Sequence, residues 1–188
     1  MIKIAITGSI ASGKTTATKI ISNKLGPLFN ADLIVKELYK KKNFQKLVAK
    51  KLNIKFDLKF KINLKNKILY NKENLNKLEK KRRKRRRKKI IIFSKKNKKK
   101  KFLFYEIPLL IESKLNKYFD KIIFIKSDKK LRMRRYLLKG GNIKLFNLLD
   151  SKQIKDRIKM KLCDHIIVNN TSLSILKKKI KNIIKMYE

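Results

Sequence analysis

The sequence is poor in the residues most used for metal binding and covalent catalysis. Its 188 residues include one cysteine, Cys163, and one histidine, His165. A lone cysteine closes no internal disulfide, which fits a reducing compartment. One histidine leaves almost no material for zinc sites or histidine-based triads. Cys163 and His165 lie two apart beside an apolar run and read as core or strand-edge residues. Two prolines and five glycines provide no linker rich in turn residues, so one domain is expected. No apolar run approaches the roughly 20 residues of a membrane span, so no membrane partner is expected. Met1 leads directly into a short apolar segment rather than the longer one of a secretory leader, and a cytoplasmic location is the default expectation.

Negative charge is the scarcest commodity. Thirteen acidic residues face 55 basic ones, for a formal charge of +42. Two readings compete. Such charge suits a nucleic-acid binder. The joint abundance of Lys, Asn, Ile and Phe also suits an A/T-biased coding sequence. Either way, self-repulsion lowers stability at low salt. Weak, salt-sensitive binding to polyanions is expected, with Kd on the order of 10⁻⁴ to 10⁻⁶ M.

What is present is concentrated near the N-terminus. Gly8-Ser9-Ile10-Ala11-Ser12-Gly13-Lys14-Thr15 fits the pattern G-x-x-x-x-G-K-[ST] without a mismatch. The apolar run Ile2 to Ile6 precedes it and reads as a buried strand. Ala17, Ile20, Ile21 and Leu25 follow at helical spacing. The loop therefore joins a strand to an amphipathic helix, the context in which this motif cradles phosphate. Gly8 and Gly13 let successive N–H groups curl around an anion. The helix N-terminus adds its dipole. Lys14 adds a full charge for the outer phosphates, and the Thr15 hydroxyl can ligate Mg²⁺. A nucleotide such as ATP is the expected ligand, held by Gly8, Ala11, Ser12, Gly13, Lys14, Thr15 and Thr16.

The rest of the chain alternates. The first helix stops near Gly26-Pro27. Leu28 to Asp32 reads as a short second strand with Asp32 near its C-terminal end, where open α/β sheets place ligands. An acid there serves either as a helix cap or in catalysis, and its rarity in this chain favours catalysis. Leu33 to Leu52 and Leu58 to Leu78 have helical patterns. Lys80 to Lys89 is a run of ten cations, nearly repeated at Lys95 to Lys101; it reads as a solvated helix face or a disordered arm. Phe102 to Tyr105 is a strand ended by Pro108. Lys121 to Lys126 is another, with Asp128 able to cap the helix after it. Gly140-Gly141 ends that helix, a basic helix is expected over roughly 151–162, Ile166 to Val168 is the last strand, and Leu173 to Met186 a closing amphipathic helix. Alternating strands and helices predict a parallel sheet covered by helices on both faces.

Four segments in this order resemble the dephospho-CoA kinase family. The loop Gly8 to Thr16 is similar to its Thr-Gly-x-x-x-Ser-Gly-Lys start. Asn30-Ala31-Asp32 resembles its Asp-Ala-Asp segment. Glu106-Ile107-Pro108-Leu109-Leu110-Ile111-Glu112 resembles Asp-x-Pro-Leu-Leu-Phe-Glu, and Asp164 to Asn170 resembles Ala-Asp-x-Val-Ile-Asp-Asn. The resemblance implies a P-loop NTPase-type three-layer α/β/α fold in one domain, 1–188. A basic, helical acceptor-binding insertion would cover about 33–101 and a small lid about 139–150. It implies a phosphotransferase that moves the γ-phosphoryl group of ATP to the ribose 3′-hydroxyl of dephospho-CoA; a monomer is expected. Lys14 would stabilise the β/γ-phosphates, Thr15 would hold Mg²⁺, and Asp32 would orient or deprotonate the hydroxyl. The family's lid arginine aligns with Arg135, on the helix, or with Lys139, where lysine would replace it, and Arg134 could take over the role. The chain departs from the pattern in Asn30 for Asp, in Glu106 for Asp, and in Arg83-Lys84 where a His-Pro is expected. Another small P-loop nucleoside or nucleotide kinase, or a basic RNA-binding protein with a relict nucleotide site, remains an alternative.

Overall fold

A computed structural model describes residues 1–60, 62–64 and 85–188. These fall into two compact units, Met1–Asn30 with Phe93–Glu188, and Ala31–Ile92. In the first unit the apolar runs form five strands: β1 (Ile2–Gly8), β2 (Leu28–Asn30), β3 (Phe102–Glu106), β4 (Lys121–Lys126) and β5 (His165–Val168). They pair in parallel in the order β2-β3-β1-β4-β5. Its helices are α1 (Lys14–Leu25), α4 (Lys129–Leu137), α5 (Ile143–Ser151), α6 (Asp156–Met160) and α7 (Leu173–Lys185), with a single 3₁₀ turn at Asn116–Tyr118.

Strand periodicity sorts the core. Ile4, Ile6, Phe104, Ile123, Ile125 and Ile167 share one buried cluster with Ala17 and Ile21 of α1 and Leu176, Ile180 and Ile184 of α7. Their neighbours Ala5, Leu103, Tyr105, Ile122 and Phe124 point the other way and are also buried. Both faces are thus covered, as parallel sheets require. On the second face Tyr105 rests against Phe29, Phe93 and Phe119, with ring centroids 4.9–5.7 Å apart. The spatial order reverses at β1, which lies between β3 and β4. Its C-terminal end is therefore the crevice where doubly wound sheets bind ligands, and the phosphate-loop motif starts there.

Several boundaries differ from those read off the sequence. Strand β2 stops at Asn30, and Ala31 already opens α2 (Ala31–Lys40) in the second unit. Asp32 sits in that helix's first turn, where an acid complements the dipole. The single helix expected over Leu33 to Leu52 is two, because Lys41 is extended between α2 and α3 (Lys42–Leu52). The break lets Leu38 and Phe44 meet in one cluster with Val48, Leu52 and Phe60. Of the basic helix expected over 151–162 only the one-turn α6 forms, and a separate helix, α5, precedes it and ends at Ser151. Asn142 sets α5 earlier by accepting the Leu145 N–H at 2.8 Å, and Phe146 anchors it by full burial. Asp128 precedes α4 at the cap position but its side chain makes no cap bond.

The end of the cation run is not a disordered arm. Residues 85–92 are helical, Arg86 and Ile90 are buried, and the Arg85 guanidinium lies 4.8 Å from the Phe44 ring centre. The remaining run from Lys80, the Arg83-Lys84 departure and most of the helix expected over Leu58 to Leu78 lie outside the described residues. No helix among the described residues is long and apolar enough to cross a membrane.

Candidate active site

The site is built outward from the β1–α1 loop. Gly8 leaves β1 at φ 152° and Gly13 enters α1 at φ 96°. A Cβ at Gly8 would lie 2.4 Å from the carbonyl oxygen of Ile125, and one at Gly13 would lie 2.2 Å from Nδ2 of Asn169. Neither position has room for a side chain. Ala11 at the loop's bend takes the left-handed conformation, φ 57°, which an L residue adopts at a cost. Ser12 closes the turn by donating its N–H to the Ser9 carbonyl at 3.1 Å. Lys14 is 8 % exposed, and its ammonium donates to the carbonyls of Gly8 (3.0 Å) and Ser9 (2.8 Å). Its charge is thereby folded over the loop it starts from. Thr16 follows on the exposed side of the first turn of α1.

Three side chains from distant segments hold this loop. Asn169, just past β5, donates Nδ2 to the Ser12 carbonyl at 2.8 Å. Asp156, the first residue of α6, accepts a short hydrogen bond from the Ser9 hydroxyl. Arg132 of α4, only 6 % exposed, donates Nη1 to the Ile10 carbonyl at 3.3 Å and to Asp150 of α5 at 2.6 Å. Helix α6 is itself fixed by Lys159, fully buried, which pairs with Glu112 at 2.8 Å. The loop is therefore preorganised by the C-terminal third of the chain.

On the other side of the loop lies Glu106, the last residue of β3 and 3 % exposed. Its Oε1 accepts the Thr15 hydroxyl at 2.6 Å. Its Oε2 accepts Asn30 Nδ2 at 2.7 Å and the Thr18 hydroxyl at 3.1 Å. Adjacent parallel strands deliver these groups: Asn30 and Glu106 are register partners, as are Ile6 and Glu106. A buried carboxylate is costly without such donors.

Arg135 donates Nη1 to the Ser127 hydroxyl at 3.1 Å and Nη2 to the Asn169 carbonyl at 3.0 Å. One residue, Asn169, thus touches both the loop and this arginine. Burial lowers the Arg135 pKa from its ordinary value. Arg134 and Lys139 are exposed. The sequence-predicted Gly8, Ala11, Ser12, Gly13, Lys14, Thr15 and Thr16 are contiguous in this loop and helix, and Arg135 joins them through Asn169. Asp32 belongs to the second unit, exposed at the start of α2.

Sequence reasoning passed over Asn169, Arg132, Asp150 and Asp156 as parts of this site. One signal was available. Glu106, Glu112, Asp150 and Asp156 are four of only 13 acids, and all four bind the loop, its neighbours or the elements bracing it. Cys163 and His165 take no part: burial pushes the Cys163 thiol up to about 11, and His165 hydrogen-bonds the Tyr187 hydroxyl.

A loop of this geometry, with a buried acid beside its threonine, binds nucleotide phosphates. Comparison with known proteins gives the acceptor class. The family model described as dephospho-CoA kinase matches residues 2–174. A dephospho-CoA kinase from Rickettsia typhi is 34 % identical over 191 residues, covering 100 % of this chain and 98 % of the relative. The structure of a dephospho-CoA kinase from Campylobacter jejuni superposes with a TM-score of 0.68 at 27 % identity, over 97 % of this chain and 95 % of that one. A Thermus thermophilus structure shares the fold at a TM-score of 0.83 and 21 % identity, over 98 % and 97 % of the two chains. With the family model matched over residues 2–174 and a relative 34 % identical along the full length, the chain belongs to the dephospho-CoA kinase family.

Proposed function

We infer that the chain transfers the γ-phosphoryl group of ATP to the ribose 3′-hydroxyl of dephospho-CoA, with its residues in the following roles. Phosphoryl transfer needs little covalent chemistry from a protein; it needs positioning and charge stabilisation. The loop N–H groups between Gly8 and Thr16 hold the phosphate chain. Lys14 exchanges its carbonyl partners for the β/γ-phosphate oxygens. Arg135 stabilises charge on the transferred group, for which its planar fork is suited. Asp32 orients the acceptor hydroxyl and takes its proton.

Thr15 and Glu106 suit Mg²⁺. They offer hard oxygens 2.6 Å apart at the end of β3, and this ion commonly takes only one or two protein ligands besides phosphates and waters. No cluster of three or more His, Cys, Asp or Glu exists among the described residues, which such a site does not need. When bound, Mg²⁺ neutralises charge developing on the phosphates.

The single observation that carries the reading is the strand-end arrangement of Lys14, Thr15 and Glu106 in a chain matched to this family along its length. The lone thiol is consistent with a reducing, cytoplasmic setting. A substrate panel tests the reading. With ATP and Mg²⁺, dephospho-CoA is expected to react with kcat/KM at least a hundredfold above adenosine or AMP. Preference for a nucleoside monophosphate would reverse it.

A further inference from the structure

We propose that Asn30 is a positioning residue for this reaction: its side-chain amide holds the Glu106 carboxylate turned toward the Thr15 hydroxyl. The inference rests on the reading of Thr15 and Glu106 given above. Glu106 is 3 % exposed and divides its two oxygens between two tasks. Oε1 faces Thr15, while Oε2 is tied back by Asn30 at 2.7 Å and Thr18 at 3.1 Å. Glutamate has one more rotatable bond than aspartate, so a carboxylate at its end needs a second fixed contact to keep one orientation. Asn30 provides it from the neighbouring strand, in register.

The identity of the residue matters. An amide donates a strong hydrogen bond while leaving the carboxylate its full negative charge for a cation on the Thr15 side. A lysine would neutralise that charge. An aspartate would set two carboxylates against each other, which is destabilising without a shared proton or a cation. In this chain Asn30 and Glu106 are therefore a matched donor and acceptor.

The test uses the full chain as wild type, Asn30→Ala, Asn30→Asp, Glu106→Gln and the exchange Asn30→Asp/Glu106→Gln. Turnover is measured with dephospho-CoA, Mn²⁺ binding by electron paramagnetic resonance without nucleotide, and folding by the thermal midpoint. Asn30→Ala is expected to lower kcat at least tenfold with both KM values within threefold, and to weaken Mn²⁺ binding. Asn30→Asp is expected to lower the midpoint in chelator and to recover it when Mn²⁺ is added. The exchange variant, which restores one amide and one carboxylate, is expected to recover the midpoint without Mn²⁺ but not kcat. A kcat for Asn30→Ala within twofold of wild type, or a loss that merely follows the folded fraction, overturns the inference. Glu106→Gln separates the levels. If it is inactive while Asn30→Ala is unchanged, only the inference falls. If Glu106→Gln is as active as wild type, the reading of Glu106 falls and takes the inference with it.

Discussion

Replacing Gly13 with alanine isolates the geometry on which the phosphate loop depends. Two effects add. A non-glycine residue at φ 96° costs about 1–3 kcal/mol of backbone strain. The new methyl would also stand 2.2 Å from Asn169 Nδ2, so the hydrogen bond from Asn169 to the Ser12 carbonyl must break. Losing that bond costs about 1 kcal/mol more. The sum is roughly 2–4 kcal/mol, or a fall of about 4–16 °C in the thermal midpoint for a chain of this size. Gly140→Ala is the control. Gly140 has φ 78° but nothing within 4 Å of a new Cβ, so it carries the strain alone. Differential scanning calorimetry should place Gly13→Ala several degrees below Gly140→Ala. Turnover should fall at least a hundredfold in Gly13→Ala and less than threefold in Gly140→Ala. Equal midpoints, or an active Gly13→Ala, would refute the loop clamp through Asn169.

Further tests address separate parts of the site. Lys14→Ala should cut kcat by at least a thousandfold, far beyond any loss of folded protein by circular dichroism, if its ammonium holds the β/γ-phosphates as proposed. Asp32→Asn should reduce kcat at least a hundredfold with ATP affinity, measured by calorimetry, within threefold of wild type. The Cys163 thiol, raised to about 11 by burial, holds at pH 8 about a hundredfold less thiolate than an ordinary cysteine. Its reaction with a disulfide reagent should be slow in buffer and fast in denaturant. The folded thiol keeps its proton longer than the unfolded one, so this group's contribution is full below pH 9 and is lost as pH rises toward 11. Binding of a generic RNA should weaken steeply between 50 and 200 mM salt, as bare charge requires.

Much of the fold was legible because the strands are short apolar runs between strong punctuation. Ile2 to Ile6 before Gly8, and Ile122 to Ile125 before Asp128, admit few other assignments. The phosphate loop was legible because its function lies in contiguous backbone. What could not be read was set by contacts distant in sequence. Arg132 looks like any cation of a basic helix, and only packing brings it to Ile10 and Asp150. Asp156 reads as an ordinary helix-start acid until Ser9 lies beside it. The Lys41 break has no glycine or proline to announce it; burial of Leu38 and Phe44 decides it. Asn142 was a cap signal, followed by the apolar positions Leu145, Phe146, Leu148 and Leu149, but Gly140-Gly141 beside it read only as the end of the preceding helix.

The most direct measurement follows the label. Wild-type protein is incubated with dephospho-CoA, Mg²⁺ and ATP labelled at the γ-phosphorus, and the product is separated and digested to locate the label. The label should sit on the 3′-oxygen of the ribose in coenzyme A, one for each ADP formed. Release of labelled inorganic phosphate without labelled coenzyme A, or a label on any other oxygen, would contradict the account.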